Sequence, residues 1–169
     1  TDGTLVQVEG LKKHFPVGGG LFRRARSHIY AVDDVSFAIQ KGKSLGLVGE
    51  SGCGKTTTGK MLVRLHDPTD GHIFLNDAEV GQVDLAEVKG AQLKTFRRRV
   101  QMIFQDPYES LNPRRTVFDT VVEPLVVQGI GDIVEREERV AGLLDMVGLT
   151  PADTFMFRFP HELSGGQRQ

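Results

Sequence analysis

Gly49-Glu50-Ser51-Gly52-Cys53-Gly54-Lys55-Thr56 follows a short apolar run, Ser44–Val48, and opens a helix-compatible segment from Lys55 to about Leu65. The eight residues match G-x-x-x-x-G-K-[ST] in the strand, loop and helix setting that this pattern requires. Phosphate groups crowd negative charge into a small volume, so a loop that binds them must bring several backbone N–H groups together. Side chains with a Cβ would obstruct that approach, hence the three glycines. Lys55 is placed to reach the β- and γ-phosphates of a nucleotide, and Thr56 to put its hydroxyl on Mg2+. Thr57 can donate to the α-phosphate, and the positive end of the helix dipole adds to the attraction.

Beyond the loop, 169 residues allow one ordinary domain or a large piece of a bigger one. Lys plus Arg number 21 against 22 Asp plus Glu, and a formal net charge of -1 offers no general attraction to nucleic acid. A hydrophobic share of 39% with 25% charged residues is a globular balance. The one cysteine, Cys53, cannot form an internal disulfide or a Cys-rich zinc site, so a reducing, cytoplasmic setting is expected. No histidine is spaced to activate Cys53, which reads as an inert loop residue. His14, His28, His66, His72 and His161 are scattered singly and make no metal site. No apolar run approaches the roughly eighteen residues of a membrane-spanning helix, so a membrane role would go through a partner. The chain lacks an initiator Met and stops at Gln169 without a helix-ending signal, which reads as a chain cut at both ends.

Leu5–Val8 and Val35–Ile39 alternate apolar and polar residues as half-buried strands do, with a loop between them holding Gly18-Gly19-Gly20 and Arg23, Arg24 and Arg26. Lys41-Gly42 and Asp67–Gly71 are turn clusters, and His72–Asn76 alternates as a further strand. Lys89–Arg99 is helix-compatible, and Val100–Phe104 is a short β-type run. After Pro107 the pattern turns helical over Thr116–Val127 and Glu135–Val147. In the second, Val140, Leu143, Leu144 and Val147 fall at three- and four-residue steps, and Gly148 closes the helix.

Leu163-Ser164-Gly165-Gly166-Gln167 resembles the signature pentapeptide of ATP-binding-cassette (ABC) ATPases. Gln105, after Val100–Phe104, looks like that family's Q-loop glutamine, and the three motifs stand in the family's order. The phrasing of Val48–Thr56, Phe104–Arg114 and Pro160–Leu163 is similar to the oligopeptide, dipeptide and nickel importer subgroup. The fold implied is α/β: a P-loop core with a parallel sheet and an N-terminal antiparallel β portion over 1–106, and a helical subdomain over 107–169 that ends in the signature. The resemblance further implies an ATP-binding subunit of an importer, peripheral on the cytoplasmic face of the membrane, with ATP and Mg2+ as cofactors. Expected partners are a second ABC ATPase, integral permease subunits and, indirectly, a substrate-binding protein, but no nucleic acid. Lys55 and Gln105 are then the catalytic candidates, with Thr56 and Gln105 on Mg2+. Two nucleotides would be sandwiched head-to-tail between each phosphate loop and the partner's signature.

For the adenine, the family places an aromatic ring before the first long strand, and Phe15 matches that position with Tyr30 as rival. The family's Mg2+-holding aspartate, water-activating glutamate, aspartate-bearing loop and switch histidine have no match in these residues. Two alternatives follow from this reading. One is a cassette fragment that binds nucleotide without hydrolysing it. The other is a non-transport ABC ATPase, against which the lack of a coiled-coil insert or second cassette counts.

Overall fold

A computed structural model describes residues 3–18, 27–77, 81–104 and 111–169. The chain divides into two compact units, Thr1–Met102 and Ile103–Gln169. The first holds strands β1 (Thr4–Val17), β2 (Ser27–Gln40), β3 (Asp70–Asp77) and β4 (Gly81–Asp84) and helices α1 (Lys55–Leu62) and α2 (Gly90–Arg99). The sheet runs β2-β1-β3-β4 with every pair antiparallel. Its core gathers Val8, Leu11, Val32, Ile73 and Leu75 from the strands with Met61 of α1, Phe96 of α2, and Leu85 and Val88 of the turn before α2. Each such side chain contributes about 1.5–3 kcal/mol by leaving water.

β1 and β2 are much longer than their alternating stretches, because register shifts at Val8/Leu11, Leu11/Lys13 and Lys13/His14 break the two-residue period. The expected loop between them is correspondingly shorter, and Gly19, Gly20, Arg23, Arg24 and Arg26 lie outside the described residues. Close approach of β1 and β3 rests on Gly71, whose φ is +87° and where a Cβ would lie 2.4 Å from the Gly10 carbonyl oxygen.

Ser44–Val48 and Val100–Phe104 are not strands here: both are without ladder partners among the described residues, with Val48 97% and Ile103 96% exposed. An apolar run becomes a buried parallel strand only when neighbouring strands satisfy both its edges, and no described segment pairs with these two.

α1 ends earlier than the apolar pattern predicts. Leu65 N–H donates to Lys60 O (2.8 Å) and Arg64 N–H to Met61 O (2.9 Å), a Schellman closure in which Arg64, with φ 55°, takes the left-handed position usually held by glycine. Strand β4 was not expected. It is held by Asp84, whose carboxylate accepts from His72 Nδ1 (2.6 Å), Ala86 N (2.9 Å) and Ile73 N (3.2 Å).

The second unit contains α3 (Val117–Gln128), α4 (Ile133–Met146), α5 (Ala152–Met156), a 3-10 turn at Pro160–Glu162 and α6 (Gly165–Arg168). Thr116 with Asp119, and Asp132 with Glu135, form capping boxes at the starts of α3 and α4. Val117, Val122, Val140, Leu144, Ala152, Met156 and Leu163 form its core. Of the four apolar residues predicted to share a face of α4, Val140 and Leu144 are buried, whereas Leu143 and Val147 are exposed. The neighbours α3 and α5 cover only part of that stripe. Among the described residues no helix is long and apolar enough to cross a membrane.

Candidate nucleotide-binding site

Gly54 is the N-cap of α1 with φ +94°, and a Cβ there would sit 2.2 Å from Ala31 O and 3.3 Å from Val32 Cγ2. The loop is therefore seated directly on β2 at a place where only glycine fits. Buried Thr58 bonds back to Gly54 O through its amide (2.8 Å) and its hydroxyl (3.0 Å), which fixes the first turn. That turn carries no side-chain cap and no acidic residue, in contrast to α3 and α4. Its leading N–H groups have no intrahelical acceptor, so they and the helix dipole face outward as an anion receptor.

Lys55 Nζ donates to Gly49 O (2.7 Å) and Glu50 O (2.6 Å) and lies 3.5 Å from Cys53 Sγ. The ammonium is thus curled over the loop by two neutral carbonyls. Phosphate oxygens, being charged acceptors, would bond it more strongly and draw it outward. Glu50, Ser51, Gly52 and Cys53 are exposed along the loop, and Thr57 is half-buried behind it. Thr56 is exposed one residue beyond the lysine. A single hydroxyl beside phosphate oxygens and waters suits Mg2+, which keeps much of its hydration shell, so the donor set fits that ion. Gln105 lies outside the described residues.

Phe15 is half-buried, with its ring edge-on to His66 (5.8 Å between centroids) and the Lys13 ammonium 5.1 Å from its centre. Tyr30 is 64% exposed and packs edge-on against His14 at 4.3 Å. Tyr30 directly precedes Ala31, the residue that touches Gly54.

In the second unit, Leu163 is buried and Ser164 caps α6. Ser164 Oγ accepts from Gln167 N (3.3 Å) while Gln167 Oε1 accepts from Ser164 N (2.9 Å). This leaves the Ser164 O–H free to donate to an incoming anion. Gly165 and Gly166 are exposed with open space on their Cβ side. Arg168 clamps the Leu163 carbonyl through Nε (3.0 Å) and Nη2 (2.7 Å).

A family model described as ABC transporter matches residues 32–169, a span that includes both the phosphate loop and Leu163–Gln167. The chain belongs to the ABC transporter family. The oligopeptide transport ATP-binding protein AppF of Bacillus subtilis is 43% identical over 98% of this chain and 49% of its own length. A probable peptide ABC transporter ATP-binding protein, y4tS of Sinorhizobium fredii, is also 43% identical, over 98% of this chain and 45% of its own. The glutathione import ATP-binding protein GsiA of Salmonella typhimurium is 44% identical over 98% of this chain and 25% of its own. This chain therefore spans about half or less of the length of these ABC relatives. Among solved structures, the dimeric post-hydrolysis state of the ATP-binding cassette MJ0796 bound to ADP and Pi is similar with a TM-score of 0.74. It is 26% identical, over 97% of this chain and 65% of that one. These neighbours establish the fold as that of an ABC ATPase cassette core.

Two residues around α1 escaped the sequence reading. Ala31, a small residue at a bulge of β2, gives no signal of its own. Arg64, just after α1, was not singled out, yet its side chain is only 4% exposed and donates to the turn before α2.

Proposed function

We propose that this chain is the nucleotide-binding part of an ABC importer's ATP-binding subunit that serves the uptake of short peptides. The observation that carries the proposal is the glycine loop at the uncapped start of α1, with Lys55 held over it by carbonyls that phosphate oxygens can replace. In this reading Gly49–Thr57 bind the phosphates of ATP, Thr56 holds Mg2+ with Gln105, and Phe15 stacks on the adenine. Residues 1–106 form the ATP-binding core. Residues 107–169 form the helical subdomain, which presents Leu163–Gln167 to the nucleotide of a second ATPase. Permease subunits hold the pair at the cytoplasmic face of the membrane, and a substrate-binding protein delivers cargo to them. The relatives are named for oligopeptide, peptide and glutathione transport, and short peptides are the chemistry these cargoes share.

Mg2+ in such a site neutralises charge building on the β- and γ-phosphates. Lys55 orients the γ-phosphate, and the partner's signature closes the opposite side with a hydroxyl and close backbone N–H groups. The carboxylates that polarise water in the family have no match within these residues. Residues 1–169 by themselves are thus proposed to bind ATP without turning it over. The test is peptide uptake by the full-length protein with its permease subunits in proteoliposomes. ATP-dependent uptake that is lost in Lys55→Ala supports the proposal; uptake indifferent to that substitution refutes it.

A further inference from the structure

We infer that Arg64 is a positioning residue that makes α2 respond when nucleotide binds at the start of α1, an inference that rests on the loop being a nucleotide site. Its guanidinium is nearly enclosed, with a side-chain exposure of 4%. Nη1 donates to the carbonyls of Leu85 and Ala86, the latter at 2.7 Å. Nη2 donates to Val88 O at 3.3 Å and pairs with Asp67 Oδ1 at 3.0 Å. In return, Arg97 of α2 donates from Nη2 to Arg64 O at 3.0 Å. Arg64 thus grips the turn that leads into α2 and is gripped from the last turn of α2.

Three features suggest that this clasp does more than fill space. Arg64 stands at a left-handed position where glycine would be easier, so the backbone there gives no reason for an arginine. The arginine fork matches three carbonyls of that turn, those of Leu85, Ala86 and Val88. Finally, α1 has eight residues, from Lys55 to Leu62, and ends two residues before Arg64. A displacement of the loop on binding phosphate is carried along that rigid rod to Arg64. From there it reaches α2 and Val100–Phe104, the segment immediately before Gln105.

Hydrogen–deuterium exchange of the full-length protein with and without Mg-ATP tests this, alongside separate equilibrium titrations of nucleotide binding. In the unsubstituted protein, amides of 85–99 should slow by about fivefold or more on nucleotide binding. In Arg64→Met that response should vanish although nucleotide still binds. Arg97→Gln removes a single bond at an exposed residue, does not threaten folding, and should weaken the response in the same direction. Arg64→Lys, which keeps the charge but not the fork, should restore only part of it. If the protein binds no nucleotide, the functional reading fails. If it binds but 85–99 do not respond, or respond equally in Arg97→Gln and in any folded Arg64 variant, the clasp is only a structural staple and the inference is overturned.

Discussion

Gly54 shows how little freedom the loop has. With φ +94° and a prospective Cβ 2.2 Å from Ala31 O, Gly54→Ala combines an unfavourable backbone with a backbone clash. A loss of about 1–3 kcal/mol in urea unfolding is expected. The adenine contact is a second test. Phe15→Ala should weaken ATP binding by roughly the 1–3 kcal/mol of a base–aromatic stack and leave inorganic triphosphate binding unchanged, while Tyr30→Ala should alter neither. The reverse pattern in a fluorescence titration would give the role to Tyr30, beside Ala31. The phosphate loop was legible because its chemistry is local, with fixed residue types inside one short window. Arg64 was not, because its acceptors, Leu85, Ala86 and Val88, are more than twenty positions away and are backbone carbonyls that no sequence pattern marks.

Among the elements, α3 owes its start to Thr116, whose hydroxyl accepts from Asp119 N at 3.1 Å. Thr116→Ala should cost about 1 kcal/mol in thermal or urea unfolding. The β3–β4 pair carries a pH signature through His72 and Asp84. The hydrogen bond and charge of Asp84 raise His72 above its ordinary 6.5. The stabilisation this gives is complete below that value and is lost as pH rises through the raised one. For Asp84, burial pushes the carboxyl up, but the His72 bond and the Ala86 and Ile73 amides outweigh it and hold the carboxyl below its ordinary 3.8. That contribution is present above 3.8 and is lost as pH falls through the lowered value. The urea midpoint should therefore decline as pH rises above the ordinary 6.5 of His72, and His72→Gln should remove that slope. Capped, amphipathic helices such as α3 and α4 were readable from apolar spacing. Their starts shifted by one or two residues because side-chain caps, not apolar residues, set them. The bulged ends of β1 and β2 were not readable, since each register shift resets the alternation that would announce a strand.

For the molecule as a whole, the phosphate loop lies on one compact unit and the signature on the other. In the proposed head-to-tail pair, each signature serves the partner's nucleotide. Ser164→Arg in the full-length protein should therefore leave nucleotide affinity of the monomer unchanged and abolish nucleotide-dependent dimerisation in sedimentation. Family membership was legible because loop and signature occur in a fixed order. The antiparallel ladder of the first unit was only half legible, since pairing between distant strands depends on contacts that no single stretch encodes. The apolar runs Ser44–Val48 and Val100–Phe104 show the converse: a β-type composition does not make a strand without neighbours to pair with. The most direct test of the central claim is an equilibrium titration of the protein with a fluorescent ATP analogue in the presence of Mg2+. Saturable binding, displaced by ATP and weakened roughly 10- to 100-fold in Lys55→Ala by the loss of a charge-assisted hydrogen bond, is the predicted result. Binding that ATP cannot displace, or equal affinity in Lys55→Ala, would contradict it.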